Sequence, residues 1–245
     1  MDGRLTRTTV QRLILVACAV LTTLTAWRWL GDGSLVLPPH DHTDRPGFLA
    51  ALVMWQAMVV AMMTPTVLPW IVAYGRLTAP TLASGETGMV TGPMAAFAGG
   101  YFAIWLAYSA VAAFVQVSAR QAAWIEGGRL IMPFGGAVLL ASGVSQFTPF
   151  KQACLTHCRN PLTYFLANWR NGPVGGFRMG VVHGAYCLGC CWLVMLSGFA
   201  LGIMNLAWMA VLTAVLCVEQ WAPWGVTVGR VFGAALAIWG LALLM

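Results

Sequence analysis

The residues best equipped for chemistry are concentrated in the run His183-Gly-Ala-Tyr-Cys187-Leu-Gly-Cys190-Cys191-Trp192. On a helix, His183, Cys187, Cys191 and Met195 follow one another at i, i+4, i+8 and i+12 and form one stripe, with Cys190 at its edge. Five soft donors then share a face. Thiol, thioether and imidazole together favour Cu(I), and less decisively Zn(II), over oxygen-seeking cations. A single cysteine in an apolar helix is ordinarily filler, but three cysteines and a histidine crowded into one short stretch point to ligation.

A second stripe, Met54, Met58 and Met62, has Met63 beside it just before Pro65. Thioethers bind Cu(I) without losing a proton, although the same spacing also suits a methionine packing seam. A third constellation, Cys154-Leu-Thr-His157-Cys158, places three donors at i, i+3 and i+4 if the stretch is helical, enough for a trigonal Cu(I) site or an incomplete Zn site. Lys151 and Arg159 flank it and are expected to lower its thiol pKa values. Glu219 is the acidic residue placed within a late apolar run. It is expected to act as a ligand, as a carboxylate orienting His183, as a proton acceptor, or as an interfacial residue held by Arg230 or Arg178. His40, Asp41 and His42 form a short cluster that reads as a solvated loop or as an outer metal-greeting site.

These residues must be positioned by helices in lipid. A chain of 245 residues that is 60% apolar and only 8% charged cannot cover a water-facing surface with polar side chains. Each crossing needs roughly 20 apolar residues for about 30 Å of hydrocarbon, with its backbone groups bonded internally. The expected fold is all-α, a single integral membrane domain over 1–245. Its seven spans fall at about 13–30, 48–74, 92–118, 130–147, 177–197, 203–222 and 225–245. Pro65 and Pro69 should kink the second span or break it into a re-entrant segment. Pro223 separates the last two, with Trp221 and Trp224 as headgroup-level anchors.

With the N-terminus cytoplasmic, one side holds Arg4, Arg7, Arg12, Arg76, Lys151, Arg159, Arg170, Arg178 and Arg230. The other holds Arg45, Arg120 and Arg129, with Arg28 at the outer end of the first span. This asymmetry fixes the orientation, puts the C-terminus outside, and accounts for the net charge of +6 without a nucleic-acid partner. The expected location is the inner (cytoplasmic) membrane. The seven cysteines lie in spans or on the cytoplasmic side, where thiols rather than a disulfide framework are expected. The long connection, about 148–176, carries the third constellation.

The chain resembles the predicted metal-binding integral membrane proteins, a family long carried as a domain of unknown function. The resemblance rests on WQAMVVAMMTP at 55–65, FKQACLTHCRNP at 150–161, RMGVVHGAYCLGCCW at 178–192, MNLAW at 204–208 and Glu219. Gln220 departs from the pattern, in which a lysine commonly follows the glutamate. Some members are described as copper chaperones for tyrosinase-type and laccase-type oxidases. The resemblance therefore implies a protein that acquires or presents copper so that a copper-dependent oxidase can be metallated.

In that reading Cys187, Cys190, Cys191 and His183 hold Cu(I), and Met58 and Met62 close the site. Cys154, His157 and Cys158 form a separate cytoplasmic loading or unloading station. A non-enzymatic role is favoured over an enzymatic one. The alternatives are a membrane thiol-disulfide oxidoreductase using Cys187 and Cys190, a copper-dependent membrane oxidase, and an assembly factor or partner of other membrane subunits whose metal site is structural.

Overall fold

The computed structural model describes residues 2–32, 47–83, 91–126, 129–202 and 205–245. The His40, Asp41 and His42 cluster, Arg45 and Met204 lie outside the described residues. In chain order come α1 (Asp2–Asp32), α2 (Phe48–Ala83), α3 (Thr91–Gln121), β1 (Ile125–Glu126), β2 (Arg129–Leu130), α4 (Met132–Ser145) and α5 (Pro149–Cys158). They are followed by α6 (Pro161–Asn168), α7 (Gly172–Leu201), α8 (Leu206–Trp221) and α9 (Gly225–Leu244). The small antiparallel hairpin β1–β2, which links α3 to α4, was not expected from the sequence.

Four helical stretches, Phe48–Thr78, Thr91–Gln121, Gly172–Leu201 and Gly225–Leu244, are long and apolar enough to cross a bilayer. Helices α4 and α8 are apolar but shorter, at 14 and 16 residues. Apolar side chains such as Leu49, Val111, Phe114, Val231 and Ile238 point outward, as a lipid-facing surface requires.

Helix α2 runs unbroken through Pro65 and Pro69, so the expected re-entrant break does not occur. Proline at 65 has no N–H to give to the carbonyl four residues earlier. That carbonyl, on buried Ala61, instead accepts from the indole Nε1 of Trp27 on α1 at 3.1 Å. The Thr64 and Thr66 hydroxyls donate to the Val60 and Met63 carbonyls in the same stretch. A proline in the helix thus fixes where α1 must dock. Trp27→Phe keeps the ring and removes the donor, and it is expected to cost about 1–3 kcal/mol by leaving a buried acceptor unpaired. The check is a lower thermal midpoint in detergent.

The most extensive helix contact is between α3 and α7. It is possible because glycines recur at 176, 180 and 184 on α7. A Cβ at Gly176 or Gly180 would collide with the Pro93 or Phe97 carbonyl of α3, and one at Gly100 with the Phe177 carbonyl of α7. Small residues let the two backbones touch, as membrane helices use them. That contact uses one side of α7. Its cysteines and histidine are also buried, and they pack in the core with α2, α3 and α5.

Candidate metal centre

The connection expected at 148–176 is two short helices docked into the bundle. Thr148 caps α5, its hydroxyl accepting from the Lys151 N–H, and Pro149 opens the helix. Pro161 cannot continue a helix from 160, so a second one, α6, starts there instead. Helix α5 packs along α7 with Lys151, Cys154, Leu155 and Cys158 buried.

This docking changes which donors meet. The Sγ atoms of Cys158, Cys187 and Cys190 lie within 4.8 Å of one another, all three buried. Three sulfurs bound to one ion at about 2.3 Å would stand about 4.0 Å apart, which lies within that limit. Cys158 therefore leaves the separate station expected for it and joins the α7 thiols. Cys154 lies nearby, its Sγ 2.9 Å from where a Cβ on Gly189 would stand. The Cys191 and Cys190 thiols donate to the Cys187 carbonyl, at 2.9 and 3.1 Å.

The imidazoles are held by aromatic rings. His183 is buried against Trp70, ring centroids 3.6 Å apart, and its Nδ1 has no hydrogen-bond partner among the described residues. The His157 ring stacks on Tyr186 at 3.8 Å, and its Nε2 is likewise buried without a partner. Among the described residues His157 is not gathered with Cys154 and Cys158 into one close set of donors: Cys158 meets the α7 thiols, and the imidazole packs between Tyr186 of α7 and Tyr164 of α6. The two histidine rings are 6.3 Å apart.

Met54, Met58, Met62 and Met63 are buried in the same core as the thiols, as is Met195. From this stripe a chain of contacts runs toward the sulfurs. The Thr66 hydroxyl, 3.9 Å from the Met63 Sδ, lies 3.3 Å from the Tyr101 hydroxyl, which lies 3.3 Å from the Cys187 Sγ.

Glu219 is not placed as expected. Both of its oxygens accept from the Lys151 ammonium, at 2.8 and 3.0 Å, and both residues are buried. Lys151 takes the part expected of Arg230 or Arg178, because α5 docks its first turn beside the end of α8. This also removes the reason for acidic thiols on α5. Lys151 is bound to Glu219, and the Arg159 guanidinium donates to the Ala222 and Pro223 carbonyls. Burial, reinforced by Cys190, pushes the Cys154 thiol up, and burial pushes the His157 imidazole down. Hydrogen bonding to Cys187 and Cys190, together with burial, holds Cys158 well above the usual thiol range.

Trp70, Tyr101 and Gln220 escaped the sequence reading as parts of the centre, as did the pairing of Lys151 with Glu219. Trp70 Nε1 donates to the Cys158 carbonyl at 2.9 Å, satisfying one of the free carbonyls at the end of α5. Gln220 Nε2 reaches to 3.9 Å from the Cys187 Sγ. The one available signal was that Lys151 is the single lysine of the chain, so a charge so close to an apolar bundle needed a partner. The seven cysteines stand as free thiols.

A family model described as "PpoB2: Copper chaperone" matches residues 52–243. No curated protein and no solved structure matches the chain.

Proposed function

Since the chain belongs to the PpoB2 copper chaperone family, we propose that it holds Cu(I) between α5 and α7 in a bilayer and presents it for metallation of a copper-dependent enzyme. The observation that carries this reading is the buried meeting of Cys158 with Cys187 and Cys190. Three sulfurs from two separate elements make a small soft site suited to Cu(I), and thiol protons leave as the ion binds. Because one of the three comes from the short helix α5, a small movement of that helix opens the site. A structural metal site, by contrast, is closed on all sides. Cys154, Cys191 and His183 surround the trio and offer exchange positions, and the methionines of α2 extend the soft lining.

The bilayer reading extends to seven crossings within one membrane domain, with α1, α4 and α8 joining the four long helices. At 1.5 Å per residue α4 and α8 reach only about 21 and 24 Å, so the membrane is locally thinned or the remaining depth is filled by α5 and α6. The excess of basic residues beside α5, α6 and the start of α7 supports a cytoplasmic face there, in the cytoplasmic membrane, with the N-terminus on the same side and the C-terminus outside.

The test is metal content of the detergent-purified protein from cells grown with copper or with zinc, together with X-ray absorption at the metal edge. The expected result is copper at about one ion per chain in sulfur-dominated coordination, transferred to a competing Cu(I) chelator within minutes. Retention through chelation would make the site structural. An absence of copper with a reversible Cys187–Cys190 disulfide would overturn the reading in favour of thiol-disulfide exchange.

A further inference from the structure

At the end of α5 the surface opens into a cleft of about 390 Å³ that the copper reading leaves unused. Its walls come from α5 on one side and the α8–α9 turn on the other, with Thr156, Arg159, Asn160, Trp221 and Pro223 at the rim. Among the described residues Arg159 is the only charged one lining it, and none contributes a carboxylate to face that charge within the cleft. The guanidinium is already oriented by the Ala222 and Pro223 carbonyls, which fixes a positive rim.

At the inner end lies Gln220, 6% exposed, whose Nε2 is 3.9 Å from the Cys187 Sγ. A single side chain thus separates this cleft from the buried thiols. Leu155 lines the cleft as well, and it sits on α5 between Cys154 and Cys158. The volume is that of a small-molecule site. The exposed indoles of Trp221 and Trp224 mark the headgroup level, so the cleft faces the aqueous side of that boundary.

We propose that this cleft is the docking site for an anionic complex of Cu(I) with a small thiol, and that Gln220 is the partition across which the ion reaches Cys187. This rests on the copper reading above. Arg159 attracts the carboxylates of the carrier and holds its sulfur toward Gln220. A Cu–S bond to a protein sulfur forms before the carrier Cu–S bond breaks. The proton displaced from the protein thiol leaves on the carrier thiolate, and copper remains Cu(I) throughout, so no oxidant or reductant is needed. On the proposed topology the ion is loaded from the cytoplasmic side.

Access is measured without copper, on the full-length protein with Cys18 and Cys217 replaced by Ser. The probe is an anionic sulfonatoethyl methanethiosulfonate, with the modification rates of Cys158 and Cys187 followed by peptide mass spectrometry. Thr156→Trp, at an exposed position, is expected to slow modification at least about tenfold by filling the cleft, and Gln220→Ala to speed it severalfold. Rates unchanged in both variants would overturn the proposal.

The charge assignment is read from loading rates with Cu(I)–glutathione and with cationic Cu(I)–thiourea. Arg159→Gln is expected to slow the first and spare the second, and equal slowing of both would overturn it. Thr156→Trp should still bind the same final amount of copper. Loss of copper binding with cleft-dependent modification intact would instead remove the copper reading and leave the access route standing.

Discussion

Cys158→Ser is expected to lower copper affinity by more than the roughly 10- to 100-fold typical of losing an outer partner of a metal ligand, so that the purified protein carries well under one ion per chain. Cys158 is the only member of the trio contributed by α5, and the two α7 thiols alone would leave the proposed ion open on the α5 side. Serine has nearly the same shape, and the residue is buried in a helix whose end is held by Trp70, so the fold should survive the change. A matched Cys154→Ser variant should keep its copper, since its sulfur stands outside the trio. The comparison is metal content of the two variants by mass spectrometry, with the thermal midpoint in detergent as the folding control. Equal copper content in the two variants would restore two separate stations, since Cys154 and Cys158 would then belong to the same one.

The second large effect concerns the ion pair that ties α5 to α8. Removing one member of a buried pair leaves an uncompensated charge in a dry interior, which costs about 3–5 kcal/mol. Glu219→Ala should therefore destabilise the protein by about that amount. The carboxylate fills the notch left by Gly229, where a Cβ would collide with it, so the position is closed on the α9 side as well. Because Lys151 lies on the same short helix as Cys158, freeing it also loosens the third sulfur. Glu219→Ala is expected to release copper to a chelator faster than the parent protein does. The apolar double variant Lys151→Met with Glu219→Leu should recover most of the stability, since no charge is then left buried. If the double variant remains as unstable as the single one, the pair acts through more than the charge it neutralises.

Much of the centre could be read from local spacing. The α7 stripe follows from helical periodicity alone: His183, Cys187 and Cys191 share a face whatever surrounds them, and the structure buries all of them. The helical spacing of Cys154 and Cys158 was legible for the same reason. Cys190 was legible beside Cys187 as a candidate ligand, and what spacing could not supply was their meeting with Cys158 of α5. The partner of Glu219, expected to be Arg230 or Arg178, is Lys151, 68 residues away along the chain.

Composition by itself pointed to helices that cross lipid, since so few charged residues cannot cover a surface in water, and four helices are long and apolar enough to do so. Residue type by itself pointed to a soft metal such as copper, because thiols and thioethers favour soft ions wherever they are placed. Periodicity determined which donors share a helix face, since neighbours at i and i+4 are fixed by the geometry of one helix. Which faces meet was decided only by the tertiary structure. Pro65 draws Trp27 of α1 onto α2, the glycines of α7 admit α3, and Lys151 fixes α5 against α8. Each of these is a pairing between elements far apart in sequence, set by the shape and hydrogen-bonding needs of the partner, and no pattern within a single helix encodes it.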